Sequence, residues 1–419
     1  MTDMNKFLSD NAGVLSAIYG ADAEYGAERI KKAVEAFKET YGDGDFSVFS
    51  VPGRSEICGN HTDHNRGEVF AASINLDIIA VARKTEGKAV RLTSEGFGES
   101  VVDVSSLEVV SEQNGSPSSI IRGVCDGFVR NGHEICGFDA YLTSNVLGGS
   151  GLSSSAAFEN MVGTIENHFA NGGEVGYIEL AQISQYAENV HFGKPCGLMD
   201  QIACASGGFV HIDFEDVKNP ICSQIPFDIA QNGYTLCIVA TGGSHANLTD
   251  DYASVPAEMK KIAEYFGKSV LREIKREDVI ENVQNLREYA GDRAILRALH
   301  YFAENERVRE MHHALENGNI DGFLDVVNRS GSSSARVLQN YFTVKAPAEQ
   351  GITLACTVAE TILGGKGAVR VHGGGFAGTM QAFVPTEMLA EFTEKMEKSF
   401  GAGCVTALFV RPLGAIKIG

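Results

Sequence analysis

Three polar clusters and one further glycine-rich turn hold the residue types from which chemistry could be built. The first is Leu147-Gly-Gly-Ser-Gly-Leu-Ser-Ser-Ser-Ala-Ala157, between a strand pattern and a helix pattern. Glycines there let a backbone approach a bulky anion, and the first helical turn leaves N–H groups free to meet it. The hydroxyls of Ser153, Ser154 and Ser155 suit phosphate oxygens or a magnesium ion. The same residues would also make an ordinary loop with serine helix caps. No Gly-Lys-Ser/Thr follows, so this is not a Walker loop.

The second cluster is Val51-Pro-Gly-Arg-Ser-Glu-Ile-Cys-Gly-Asn-His-Thr-Asp-His-Asn-Arg-Gly67, which follows a strand pattern. Its mixture of arginine, histidine, carboxylate and amide offers the donors and acceptors that a hydroxyl-rich ligand needs. His61 and His64 lack a third metal ligand nearby, and an exposed polar loop is the plain alternative. In the third, Gly193-Lys-Pro-Cys-Gly-Leu-Met-Asp-Gln201, Asp200 could cap the next helix or act as a general base toward an attacking hydroxyl. The late turn Arg370-Val-His-Gly-Gly-Gly-Phe-Ala-Gly378 would let backbone lie against a ligand.

The elements that must position these clusters are read from periodicity. Two amphipathic helices over 5–41, broken at Gly20, precede strands at 46–51, 68–74, 78–83 and 89–93. A helix at 118–131, a strand at 138–144 and helices at 152–169 and 178–191 follow, then strands at 208–214 and 234–240. Helical patterns at 256–266, 279–289, 293–316 and 320–329 lead to late strands at 367–371, 379–384 and 404–410. Strands mixed with helices in both halves predict an α+β protein of two layers rather than one doubly wound sheet, divided near 225–235 into domains 1–230 and 231–419.

A chain of 419 residues suits two domains sharing a cleft, and 44% hydrophobic with 21% charged residues is ordinary globular composition. A formal net charge of -19 without a basic stripe argues against nucleic acid and anionic membrane partners. Nine scattered cysteines, with no pair at metal or redox spacing, predict buried reduced thiols. The first residues carry no long apolar run, so a soluble, cytoplasmic protein is expected.

Together and in this order the segments resemble the GHMP kinase superfamily, and galactokinase most closely. Ala187-Glu-Asn189, Cys196-Gly-Leu-Met-Asp-Gln201, Arg297-Ala-Leu-His300 and Glu304-Asn-Glu-Arg-Val308 add to the Gly-Leu-Ser-Ser-Ser-Ala-Ala stretch. The resemblance implies an N-terminal domain like ribosomal protein S5 domain 2, a C-terminal ferredoxin-like α/β sandwich, and a cleft binding ATP and magnesium between them. It places Gly148, Gly149, Gly151, Ser153, Ser154 and Ser155 about the triphosphate, and Ser154 or Ser155 with Glu188 at the metal. Asp200 resembles the catalytic aspartate and Arg54 the arginine beside it; Asn60, His61, Asp63, Asp200 and Tyr252 fall where the sugar contacts lie. The implied reaction is phosphorylation of the anomeric hydroxyl of a free sugar, galactose first, with no protein partner.

Departures from the family bear on the substrate. Gly59-Asn-His-Thr-Asp-His64 stands where galactokinases carry Gly-Glu-His-Thr-Asp-Tyr, and Ser55-Glu56 replaces the usual Val-Asn. The family glutamate accepts a hydrogen bond from a sugar hydroxyl near C6, whereas Asn60 is neutral and can also donate. A uronic acid or a pentose such as arabinose therefore stands beside galactose, and a silent sugar sensor beside the enzyme. Ala377 and Thr379 also alter the late glycine turn.

Overall fold

β-Branched and small apolar residues alternate between two faces along the strands β1 (Ser47–Cys58) and β2 (Glu68–Thr85), and nearly every position is buried. Val48, Ile79 and Val81 face the helices Ala12–Tyr19 and Ala23–Tyr41 through Ile18, Ile30 and Phe37, while Phe49, Ile78 and Ala80 face the main core. This period of two makes the pair a wall with helices on both sides. The computed structural model describes residues 4–146, 151–242 and 248–419.

The strands β3 (Ala89–Ser94), β4 (Gly98–Asp103), β5 (Gly137–Ser144), β6 (Phe209–Asp213) and β7 (Ile221–Ile225) extend this wall. β2 serves two neighbours because it is long: its first half pairs with β6 and its second with β5. β3 runs parallel to β5, and the other pairings are antiparallel. The second sheet is built from β8 (Tyr234–Ala240), β9 (Ala368–Val371), β10 (Thr379–Pro385) and β11 (Val405–Leu408), in the order β11-β8-β10-β9. The chain then returns to the first sheet, where β12 (Ile416–Lys417) pairs with β1.

The two sheets share packing across the helix Ile320–Ser333. Phe323 meets Phe209 of the first sheet at 6.1 Å between ring centroids and Phe383 of the second at 4.9 Å. The other face of the second sheet is covered by helices Gly351–Leu363 and Leu389–Phe400 through Ile352, Ala359, Phe392 and Met396.

The expected strands at 68–74 and 78–83 are one strand. Asn75 and Asp77 interrupt the apolar pattern but are themselves buried, with Asp77 hydrogen-bonded to Tyr19, Arg29 and Ser50. The helix expected from Pro256 begins at Thr249 and carries Pro256 inside it. All nine cysteines are free thiols. Among the described residues no helix is long and apolar enough to cross a membrane.

Candidate functional site

The register of β1 against β2 slips between Pro52 and Arg54, where two steps along β1 face four along β2, so the irregularity lies on β2 opposite Arg54. Gly53 makes room beside it: a Cβ there would stand 2.7 Å from the Leu152 carbonyl, which accepts from the Arg54 N–H at 3.1 Å. Arg54 then donates from Nη1 to the Gly151 carbonyl and from Nε to Asp200 Oδ1 at 2.7 Å. The guanidinium thus ties the glycine–serine segment to the aspartate.

Asp200 sits in the first turn of helix Met199–Ser206, and its other oxygen accepts from Ser153 Oγ at 2.5 Å. Burial alone would push this carboxyl up, but the Arg54 charge and the bonds from Arg54 and Ser153 outweigh it and hold the pKa below the usual range. The Asp200 side chain is still 35% exposed against 7% for Arg54, so an ionised carboxylate faces the cleft over a buried cation. That is the charge state and access a general base needs.

Ser153 is left-handed at φ 59° and precedes helix Ser154–Ala170 without capping it. The first N–H groups of that long helix are therefore left for an anion, with Ser154 and Ser155 on its opening turn. Gly148 and Gly149 lie outside the described residues. Beyond Ser155 an apolar cavity of about 240 Å³ is lined by Phe97, Pro117, Ile120, Phe158 and Phe192, and reaches Glu159 and Glu188.

Glu188 is placed by a change of helical pitch. The helix expected at 178–191 is α-helical over Tyr177–Tyr186 and widens to a π turn at Ala187–Phe192, a device that re-aims side chains. Its carboxylate accepts from Lys194 Nζ at 2.9 Å and Gln201 Nε2 at 3.1 Å, and Gln201 also donates to Glu159 at 2.9 Å. Burial and the Glu188 charge push the Glu159 carboxyl well up, and its Oε1 has no hydrogen-bond partner. Serine hydroxyl and carboxylate oxygens beside an orphaned buried oxygen form a hard donor set that fits magnesium.

On the other side of Asp200, His61 at φ 59° pairs through Nε2 with the Gly374 carbonyl at 3.0 Å. Burial pushes its pKa down to about 4, so the ring is neutral and donates. Tyr252 donates to the Gly375 carbonyl at 2.9 Å, and Gly374 fits between the two rings, since a Cβ there would lie 2.6 Å from Tyr252 Cε1. Asp63 stands against Gly197, where a Cβ would collide with its carboxylate. The glycine turn 373–375 thus holds His61 and Tyr252 side by side, and Asp63 lies against the Gly197 turn that leads into Asp200.

Asn60 is 1% exposed, and its amide is committed to protein: Nδ2 donates to Glu56 at 2.9 Å and to the Gly373 carbonyl at 2.8 Å, while Oδ1 accepts from Asn340 at 2.7 Å. Three residues of the site were outside the sequence expectation. Arg370 is fully buried and pairs with Glu56 at 3.1 Å. Asn340 also donates to the Gly374 carbonyl at 3.0 Å. His372 is buried against Thr379 and close enough to Gly151 that a Cβ there would lie 3.2 Å from its Nδ1. Arg370 and His372 both fall in the late glycine turn, which points to its backbone rather than to these side chains, while Asn340 lies in none of the polar clusters.

The chain resembles known proteins along nearly its whole length. A galactokinase galactose-binding signature matches residues 35–84 and a GHMP kinase N-terminal domain matches 119–208. The galactokinase of Streptomyces coelicolor is 30% identical over 89% of this chain and 93% of its own length. That of Enterococcus faecalis is 30% identical over 87% and 92%. The crystal structure of Lactococcus lactis galactokinase complexed with galactose superposes with a TM-score of 0.77 at 26% identity, covering 93% of this chain and 99% of that one. A mevalonate kinase structure, at 14% identity and a TM-score of 0.59, shares the fold. With matched relatives running nearly end to end and two family models falling on the segments that build the cleft, the chain belongs to the galactokinase family of the GHMP kinases.

Proposed function

We propose that this protein transfers the γ-phosphoryl group of ATP to the anomeric hydroxyl of galactose, giving galactose 1-phosphate and ADP. The observation that carries it is the ionised Asp200, held by Arg54 and Ser153 and open to the cleft between the helix N-terminus and the His61–Tyr252 wall. Asp63, His61 and Tyr252 bind and orient the sugar, with the C1 hydroxyl directed at Asp200. Asp200 accepts the hydroxyl proton as the oxygen attacks phosphorus. Arg54 keeps that carboxylate ionised beforehand and offsets charge on the transferred group.

The triphosphate would lie at the N-terminus of Ser154–Ala170 beside Gly151 and Ser153, and the base would occupy the apolar cavity beside Phe97 and Phe158. Ser154 or Ser155 and Glu188 would hold magnesium, which supplies charge neutralisation to the phosphates when bound. Domains 1–230 and 231–419 provide the two walls. The gap between β7, ending at Ile225, and β8, starting at Tyr234, supports that division. Among partners only the sugar and ATP are needed, and the chain works in the cytoplasm.

The test is ADP release with magnesium and ATP across galactose, glucose, galacturonate, arabinose, galactosamine and mevalonate. Sugar-dependent turnover with galactose among the substrates is expected. Galactose binding without turnover would turn the protein into a sensor, and turnover confined to mevalonate would overturn the sugar assignment.

A further inference from the structure

Position 56 carries glutamate where the galactokinase pattern has asparagine, and position 60 carries asparagine where it has glutamate. The two are not independent departures, because the side chains touch: Asn60 Nδ2 donates to Glu56 Oε1 at 2.9 Å. The exchange keeps one carboxylate and one amide in contact and moves the charge four residues upstream. Glu56 lies on β1, 5% exposed, with Arg370 Nη2 at 3.1 Å on the same oxygen. Arg370 is fully buried and also holds the Ile57 carbonyl, so its counterion is a structural need met by Glu56. Asn60 is left as a fixture of the wall, bonded to Glu56, Gly373 and Asn340, with its own carbonyl accepting from His300 Nε2 at 3.0 Å.

We propose that this exchanged pair sets the sugar specificity of the site by withdrawing the carboxylate from the C6 end of the pocket onto Arg370. The inference rests on the sugar-kinase function proposed above. A pocket built to bond a hydroxyl rejects the analogue lacking it by roughly 10⁴-fold, whereas a neutral wall whose Asn60 amide is already taken up by protein partners discriminates by about tenfold. Sugars that share the galactose configuration through C4 but lack the C6 hydroxyl are therefore substrates: 6-deoxygalactose, and arabinose of matching configuration.

The experiment measures kcat/KM for galactose, 6-deoxygalactose and arabinose in the full chain and in the double variant Glu56→Asn/Asn60→Glu, with thermal unfolding of both single variants. The wild type is expected to favour galactose over 6-deoxygalactose by at most about tenfold, and the double variant to widen that ratio at least about tenfold. Asn60→Glu alone sets two carboxylates together and Glu56→Asn alone strips Arg370, so each should melt below wild type and the double should recover. A wild-type preference above about tenfold overturns the proposal, even if no variant folds. An unchanged ratio in a folded double variant does the same. ADP release that fails with every sugar, galactose included, overturns the kinase function and this inference with it. Rapid galactose turnover with steep discrimination against 6-deoxygalactose overturns the inference alone.

Discussion

Arg54 Nε stands 2.7 Å from Asp200 Oδ1, while the Arg54 Nη1 donates to the carbonyl of Gly151. One buried cation therefore sets both the ionisation of the base and the position of the phosphate-binding segment. Removing it should be felt in the pH profile as well as the rate. Asp200 is held ionised below the usual carboxylate range, so its deprotonated form persists as pH falls. In Arg54→Ala burial is opposed mainly by the Ser153 bond and the Lys194 charge, and the acid limb of kcat/KM should move to higher pH. Asp200→Asn should lower kcat by roughly 10²- to 10⁴-fold while calorimetry shows galactose still bound. A loss confined to KM in either variant would contradict these roles.

Ser153 adopts φ 59° and ψ 53° and spends its hydroxyl on Asp200 rather than on its own helix. A left-handed residue with a Cβ costs about 1–2 kcal/mol, a strain that glycine relieves. Ser153→Ala and Ser153→Gly should both reduce kcat, because both remove the bond that orients the base. Their stabilities should diverge, with Ser153→Gly the more stable by about 1 kcal/mol in chemical denaturation. Equal stability of the two would mean the backbone there carries no strain.

How much of this was legible differs from residue to residue. The glycine–serine segment and Asp200 stand out as glycines and polar residues against apolar periodicity, whereas the roles of Arg54 and Glu188 follow only from the resemblance to the family. The direction of the Asn60 side chain could not be read, since it depends on Arg370 and Asn340, roughly three hundred residues downstream and invisible to local spacing. Helix Gly351–Leu363 is hidden in the sequence because Ile352, Thr353, Thr357 and Val358 are β-branched and weaken the helical signal, which packing on β9 and β10 overrides. Helix Leu389–Phe400 carries apolar spacing at Phe392 and Met396, a helical signal present in the sequence.

Asp77 is fully buried on β2 and gathers Tyr19, Arg29 and Ser50, with Arg411 at 3.5 Å. The first helices, the central strands and the returning C-terminal segment are thereby joined at one carboxylate. Asp77→Ala leaves Arg29 and Arg411 buried without their counterion and should cost about 3–5 kcal/mol in urea denaturation. Tyr19→Phe removes one bond and should cost about 1–3 kcal/mol. A loss below 1 kcal/mol for Asp77→Ala would show that the two arginines find solvent instead.

His372 offers the last test, because its buried ring couples the late glycine turn to the fold's tolerance of acid. Its Nδ1 pairs with Thr379 Oγ1 at 3.1 Å, and its Nε2 has no partner. Burial, then the charges of Arg54 and Arg370, push its pKa down to about 3, while in the unfolded chain it titrates near 6.5. Between those values the unfolded state holds a proton that the folded state refuses. The contribution to stability is therefore complete above about pH 6.5 and is lost progressively as pH falls through that window. From pH 6.5 to 5 the loss is about 2 kcal/mol for this one group. His372→Asn cannot titrate there, so its unfolding free energy should fall less steeply over the same interval. His61 and His300, also depressed by burial, remain in both proteins and cancel in the comparison. Parallel slopes would mean that the folded protein accepts a proton at His372, and that the ring is open to water beside Arg54.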